Sequence, residues 1–431
     1  MGSSIRFFGL GKLGLPLAAL FASKGIRVVG IDTDPDHVER LKAGAMPLDE
    51  PGLSDLVVAA GKNLSFHATE ADTPTNISII HVPTPSTPNA PTFANRHVES
   101  AIEEACRAAA RYGQSGEIHL IIIASTVMPG TFRNVLSPLV ASLATTYSRH
   151  FIVSYVPDLV AIGDVVRGFQ QPPALIIGAD DGEAARLTQE LYARIVSPKV
   201  RRGTIRLEEA ELAKIAWNFY LCMKIDFANL ISRLADASGG IDTDQVLGLL
   251  ACDRRIGSGF LKPGMPFGGP CFPRDVAAMA ALCDQRGENS ALARAVSIGN
   301  EAQLQHVVDL ILGVKPRRVG VLGLGFKPGT HVTIHSPSFL VIEKLVAKEV
   351  SLLAFDPSRQ ARESLLRERW AGSVETTGSL DHICKTCDVI LVAVDDGRYA
   401  SLADIVPPDR TIIDPWARVL GSHPGLVRPG R

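Results

Sequence analysis

One stretch near the N-terminus constrains this chain most. Ile5 to Phe8 is a short apolar strand that runs into Gly9-Leu-Gly11-Lys-Leu-Gly14 and then into a helical run, Leu15 to Ser23. Gly25 ends the helix, Ile26 to Ile31 forms a second strand, and Asp32 closes it. A GxGxxG alone is a weak signal. Set between strand and helix, with an acid at the end of the next strand, it specifies a dinucleotide-binding unit. Gly9, Gly11 and Gly14 let the backbone approach a pyrophosphate, with Lys12 and Leu13 between them, and the helix N-terminus holds its charge. Asp32, 18 residues after Gly14, is placed to accept from both ribose hydroxyls. An acid there repels a 2′-phosphate, so NAD is expected rather than NADP.

Strand–helix alternation continues. Ile77 to Val82 reads as a strand ending in Pro83-Thr84-Pro85, and Val98 to Arg111 as a helix. Leu120 to Ala124 ends in Ser125-Thr126-Val127, and Phe151 to Tyr155 leads to Pro157-Asp158. Loops after strand C-termini line the ligand crevice of a doubly wound sheet. Pro83, Thr84, Ser125, Thr126 and Asp158 are therefore candidate crevice residues, or simply turn residues.

From Thr204 to Ser238 there is no proline or glycine, and apolar residues recur at helical spacing, so one long helix is expected. Lys214 and Asn218 lie four apart on one face, with Glu211 a turn earlier. They make either an oxyanion site, if a nucleophile faces them, or an ordinary solvated stripe. Further on, Gly268-Gly269-Pro270-Cys271-Phe272-Pro273-Arg274-Asp275 puts a cysteine in a tight turn ahead of a helical run, Val276 to Leu282. A thiol at a helix N-terminus is driven toward thiolate and reads as a nucleophile; the alternative is a buried structural cysteine.

The first pattern partly recurs near the C-terminus. Arg318 to Leu322, Val350 to Phe355 with Asp356, Val389 to Val394 and Thr411 to Ile413 are strands, and Gly323-Leu-Gly325-Phe-Lys327 follows the first. Lys327 is placed to meet a phosphate. The tail from Gly421 to Arg431 looks loosely ordered. With 431 residues, two or three domains are expected. Lys and Arg number 44 against 45 Asp and Glu, with no basic block, which argues against nucleic acid. Seven scattered cysteines fit a reduced, cytoplasmic protein, and the Cys384-x-x-Cys387 pair lacks the second ligand pair a zinc site needs. No secretory signal or membrane span is expected, because glycines and Lys12 break the apolar run from Phe7 to Phe21. Met1-Gly2 is followed by Arg6 where an acylation signal wants Ser or Thr.

Taken in order, these motifs resemble the UDP-glucose/GDP-mannose dehydrogenases essentially end to end. The match runs through the glycine turn with Asp32, Glu50-Pro-Gly-Leu53, Val82-Pro-Thr-Pro85, Ser125-Thr-Val127, Glu211-Leu-x-Lys214-x-x-x-Asn218, Asp253-x-Arg255-Ile-Gly257, the Cys271 stretch, Gly323-Leu-Gly-Phe-Lys327 and Asp356-Pro357. The resemblance implies an α/β protein with two Rossmann-like doubly wound domains joined by a long central helix and a helical linker domain. Residues 1–200 would bind NAD, 201–300 would carry the long helix, a dimer contact and the catalytic cysteine loop, and 301–431 would bind a nucleotide sugar. It implies oxidation of the sugar's C6 from alcohol to carboxylate with two NAD and no metal. Cys271 would attack the aldehyde, and Lys214 and Asn218 would stabilise alkoxide and oxyanion. Asp275 would act as base or orient a water, Thr126 would hold that water, and Asp158 would replace the family's glutamate. Arg255, Phe260, Leu261, Lys262, Gly264, Phe267, Gly268, Phe326 and Lys327 would bind the nucleotide sugar. A homodimer or higher homo-oligomer through the long helix is expected.

The chain departs from the family at three places. After Asp158 it has Leu159-Val-Ala-Ile162-Gly163, where the family usually has Phe-Leu-Arg-Glu-Gly, so an acid is lost at Ile162. After Lys327, two acids and an arginine are lost, the last at Ile334. Arg274 replaces a lysine. The turn also lacks the GG-His-Cys form of N-acetylhexosamine-type members, so UDP-glucose is the expected substrate. The alternatives are another or modified nucleotide sugar, such as a GDP-mannose-like one, and a nucleotide-sugar-binding homologue with little or no activity.

Overall fold

The protein is described here by a computed structural model, which places residues 4–46, 50–69, 71–86, 92–113 and 116–431. The Met1-Gly2 pair lies outside them. The chain divides into two compact units, Met1–Ala216 and Trp217–Arg431.

The first unit is built on an eight-stranded sheet. Its strands are β1 (Ser4–Phe8), β2 (Arg27–Ile31), β3 (Leu64–His67), β4 (Ile77–Ile80), β5 (Ile118–Ile123), β6 (His150–Tyr155), β7 (Leu175–Gly178) and β8 (Arg202–Ile205), in the order β3-β2-β1-β4-β5-β6-β7-β8. Pairing is parallel except between β6 and β7. Alternate side chains enter different cores. Phe7, Val28, Ile79 and Ile122 pack into one cluster, whereas Phe8, Val29, Ile80 and Ile121 pack into another. Both faces are thus covered, as a parallel sheet requires. Strand order reverses between β1 and β4, which makes the ends of those two strands the switch point where a ligand crevice opens.

The second unit repeats the design with six parallel strands: β9 (Arg318–Leu322), β10 (Ser351–Phe355), β11 (Val374–Thr377), β12 (Val389–Val392), β13 (Thr411–Ile413) and β14 (Leu426–Val427), ordered β11-β10-β9-β12-β13-β14. Val319 and Val321 face one core, Leu322 and Leu353 the other.

Two expectations need correction. The long helix runs Leu207–Ser238, because Arg202–Ile205 pairs with β7 as β8. Glu208 and Glu209 then occupy the first turn, where acids suit the helix dipole. The tail is ordered rather than loose. β14 pairs with β13, Gly430 donates its N–H to Asp236 at 2.6 Å, and the Arg431 guanidinium, 8% exposed, pairs with Asp244 at 2.5 Å.

Candidate functional site

The glycine turn of the first unit does what its spacing requires. Gly9 has φ +91°, and a Cβ there would lie 2.2 Å from the main-chain oxygen of His81; at Gly14 a Cβ would lie 2.1 Å from that of Gly9. No other residue fits that packing. A cavity of about 600 Å³ opens beside the turn, lined by Gly9, Gly11, Lys12, Leu13, Asp32, Thr33, His81, Val82 and Pro83, and by His97, Ser100, Ala101 and Glu104 of the helix Arg96–Tyr112. That volume suits a cofactor-sized ligand. Asp32 accepts from the N–H of Leu10 at 2.9 Å, which orients its carboxylate at the end of β2. Burial pulls the Lys12 amine down from its ordinary value. Cavity size, close-packed glycines and an oriented acid together fit a dinucleotide.

Gly14, Thr84, Ser125 and Thr126 are not among the lining residues. The Ser125 hydroxyl accepts from the N–H of Val82 at 2.9 Å and donates to the Val82 oxygen at 2.8 Å, and the Thr84 hydroxyl donates to the Thr126 oxygen at 2.7 Å. These bonds tie the loops after β4 and β5 together. Asp158, after β6, pairs with His81 through its carboxylate, while its main-chain oxygen accepts from the Lys214 ammonium at 2.5 Å. Glu211 is fully buried, and its two oxygens accept from the N–H groups of Gly130 and Phe132 at 2.6 and 2.8 Å. Burial still holds its carboxyl above the ordinary range, with those two bonds opposing. Glu50 likewise accepts from Gly163 at 2.9 Å and Val165 at 2.5 Å, fixing the loop that carries Ile162.

In the second unit Cys271 is exposed and caps the helix Phe272–Arg286, with Pro273 in its first turn. Asp275 is fully buried; Asn218 donates to one of its oxygens at 2.6 Å and Arg274 to the other at 3.0 Å. Asn218, Asp275 and Arg274 therefore form one charge-assisted cluster one turn from the thiol. The turn itself is clamped. Gly269 (φ +82°) donates to the main-chain oxygen of His335 at 3.1 Å, and a Cβ on it would lie 2.6 Å from the Phe326 ring. Gly268 has that same His335 oxygen where its Cβ would be, at 2.2 Å.

The other substrate candidates sit as follows. Gly264 lies against Trp416, donating to Asn229 at 2.9 Å and accepting from Gln303 at 2.7 Å. The Phe267 backbone bonds Asn300 in both directions. Leu261 is buried, whereas Phe260 is half exposed with φ +61°. Lys262 pairs with Asp395 at 3.5 Å, and Arg255 folds back onto Asp253 at 2.6 Å. Lys327 is half-buried in the turn after β9.

Three family models match in sequence along the chain. The NAD binding domain of the UDP-glucose/GDP-mannose dehydrogenase family matches residues 3–196, its central domain 208–302 and its UDP binding domain 320–419. The chain belongs to this family. A GDP-mannose 6-dehydrogenase of Azotobacter vinelandii is 30% identical over 95% of each chain. A UDP-glucose 6-dehydrogenase of Haloferax volcanii is 31% identical over 98% of each. The solved UDP-glucose dehydrogenase of Pyrobaculum islandicum superposes with a TM-score of 0.87 at 30% identity, covering 97% of this chain and 95% of that one. The first unit thus carries the family's NAD-binding domain.

As a family member the chain keeps the supports around its departures. Ile162 sits on a loop held by Glu50, and Ile334, 55% exposed, precedes the residue whose carbonyl holds Gly269. Sequence reasoning quoted Glu50 with its motif but gave it no part, and missed His81, Asn229, Asn300 and Gln303 as contributors. A signal existed for the last three: amides among apolar helical neighbours need buried partners. His97, Ser100 and Glu104 also recur at helical spacing. Among the described residues no helix is long and apolar enough to cross a membrane, and no cluster of three or more His, Cys, Asp or Glu is placed to hold a metal.

Proposed function

We propose that this protein oxidises C6 of UDP-glucose to the carboxylate of UDP-glucuronate, with two NAD reduced per sugar. The observation that carries this is the Cys271 turn: an exposed thiol at a helix N-terminus, one turn from the Asn218–Asp275–Arg274 cluster. NAD, held by the glycine turn from Gly9 to Gly14 and by Asp32, would supply the hydride acceptor for both oxidations of C6. Lys214 steadies the alkoxide as the alcohol passes its proton to water. The Cys271 thiolate adds to the resulting aldehyde, forming a C–S bond, and Asn218 donates to the oxyanion of this thiohemiacetal. Loss of the second hydride leaves a thioester. Water then adds to its carbonyl, the C–S bond breaks, and carboxylate and thiol are released. Asp275 keeps Asn218 oriented and acts as base or steers the water, Thr126 holds a water, and Asp158 stands in the place of the family's glutamate.

The remaining assignments follow the motifs. Gly9, Gly11, Lys12, Leu13, Gly14, Asp32, Pro83, Thr84, Ser125 and Thr126 serve the cofactor. Arg255, Phe260, Leu261, Lys262, Gly264, Phe267, Gly268, Phe326 and Lys327 serve the nucleotide sugar. The three segments of the chain take the parts the motif order gives them: cofactor binding up to residue 200, the cysteine loop and subunit contact from 201 to 300, and sugar-nucleotide binding from 301. A reduced, cytoplasmic setting suits an exposed nucleophilic thiol. Tyr220, Phe227, Leu230 and Leu234 form an exposed apolar stripe on the long helix, which supports a homodimer.

The test is reduced-nicotinamide formation with NAD against UDP-glucose, GDP-mannose and dTDP-glucose, with product masses. Two reduced cofactors per UDP-glucose and a carboxylate product are expected, and Cys271→Ser should stop before the carboxylate. Preference for GDP-mannose would overturn the substrate. Binding of a nucleotide sugar without any turnover would overturn the reaction.

A further inference from the structure

His81 lies beside the cofactor cavity, next to two residues the chemistry above uses, and that chemistry gives the histidine itself no part. His81 follows β4 at the switch point, where its main-chain N–H bonds the Phe8 oxygen at 2.8 Å and its own oxygen packs on Gly9. The residue lines the cavity. Its Nε2 pairs with the Asp158 carboxylate, and the two side chains are only 15% and 10% exposed. Asp158 in turn holds the Lys214 ammonium through its main-chain oxygen. One residue therefore ties an imidazole by its side chain and an ammonium by its backbone. Tyr192, from the helix Gly182–Tyr192, buries a hydroxyl with no hydrogen-bond partner, and the Asp158 charge adds to the burial that raises its phenol.

We propose that His81, in its protonated form, is a positioning residue for Lys214: it saturates the Asp158 carboxylate, so that the lysine stays on the Asp158 main-chain carbonyl. The charges make this specific. Imidazolium and carboxylate cancel, which leaves the ammonium as the one net charge of the group. Once His81 is neutral, the carboxylate is an unbalanced anion in a nearly dry site and draws the ammonium onto itself. Lys214 then loses the place from which it steadies an alkoxide.

Among the described residues, Asp158 and Lys214 are the charged groups that act on His81. Burial pulls the imidazole down, but the Asp158 charge and hydrogen bond outweigh it, and Lys214 opposes them, so the net shift is upward. A raised histidine keeps its pair complete below its ordinary value and loses it as pH rises through the raised one. The lysine's place is lost over the same range.

This inference rests on the proposed dehydrogenase reaction, and the experiment separates the two. In the full-length protein, His81→Gln and His81→Ala are assayed with NAD and UDP-glucose from pH 6 to 9, alongside NAD binding and thermal melting. The expected result is a kcat loss of about 10–100-fold, larger for Ala than Gln, with NAD affinity within about twofold of the parent. The parent's fall in kcat with rising pH should be absent from both variants. An unchanged kcat and pH profile, or a loss of NAD affinity as large as the loss of kcat, overturns the proposal. An arm free of turnover uses ¹⁵N-labelled histidine: His81 should titrate above the ordinary histidine value, and higher still in Lys214→Met. A titration that Lys214→Met leaves unmoved refutes the coupling. If the parent turns over no nucleotide sugar, the dehydrogenase assignment fails by itself, and this titration still decides the His81–Asp158–Lys214 link.

Discussion

Gly269→Ala tests how tightly the Cys271 turn is built. Two costs arise at that position. An alanine at φ +82° pays roughly 1–2 kcal/mol for the left-handed backbone. Its Cβ, 2.6 Å from Cδ2 of Phe326, also forces ring or turn to move, which costs roughly 1–3 kcal/mol. Together these destabilise the second unit by about 2–5 kcal/mol. All three tryptophans, Trp217, Trp370 and Trp416, fall in that unit, so tryptophan fluorescence in urea reports on it selectively. With a slope of roughly 3 kcal/mol/M, the midpoint should fall by about 0.7–1.7 M. Phe326→Ala removes the obstacle and leaves the backbone strain. The double variant should therefore recover about 1–3 kcal/mol relative to the sum of the singles. Strict additivity would mean that the ring does not bear on the turn, and the clamp on Cys271 would be wrong.

Asp32→Asn should weaken NAD by about tenfold, since it loses a charged acceptor for ribose hydroxyls worth roughly 1.5 kcal/mol, and should narrow the gap to NADP; titration calorimetry with both cofactors checks this. Asn218→Ala should lower kcat by about 100-fold with little change in nucleotide-sugar affinity, measured by steady-state kinetics and equilibrium binding. Burial, foremost, pulls His119 down to about 3, and its ring hydrogen-bonds Ser78 at 2.9 Å. A histidine depressed by folding gives full stability above about 6.5 and loses it as pH falls toward 3, by up to about 1.4 kcal/mol per pH unit. His119→Phe with Ser78→Ala should flatten that acid limb, read by circular dichroism in urea. Leu230→Glu on the exposed stripe should yield monomers in light scattering, and a monomeric parent at micromolar concentration would remove the basis for that expectation.

The elements legible in the sequence were those set by local rules. The glycine turn, Asp32 and the parallel strands announce themselves, because close backbone approach admits only glycine and buried strands read as apolar runs. β3, β7 and β11 were missed: Leu64–His67 and Val374–Thr377 are short edge strands, the first half-buried throughout and the second with one buried residue, and Leu175–Gly178 is just four residues. The tail looked loose because its order comes from Asp236 and Asp244, nearly two hundred residues away. The same holds for the site. Cys271 is readable from its own turn, whereas His81 gains meaning only through Asp158, 77 residues on.

This difference bears on what Ile162 and Ile334 signify. Each removes a charged side chain, and side chains alone favour a binding protein that has lost its chemistry. The backbone points the other way. Glu50 holds two N–H groups just after Ile162 whatever residue stands there, since it bonds the main chain of Gly163 and Val165. His335 adopts φ +49° and presents its carbonyl to Gly269 independently of its neighbour's side chain. A protein that merely bound nucleotides would gain nothing from two glycines pressed against that carbonyl and a phenyl ring, or from a left-handed histidine, each of which costs stability. Such strain has a use where a thiol two residues further on must be held in place. The lost charges therefore leave the backbone that holds the Cys271 turn intact, which favours the proposed dehydrogenase over a binding protein.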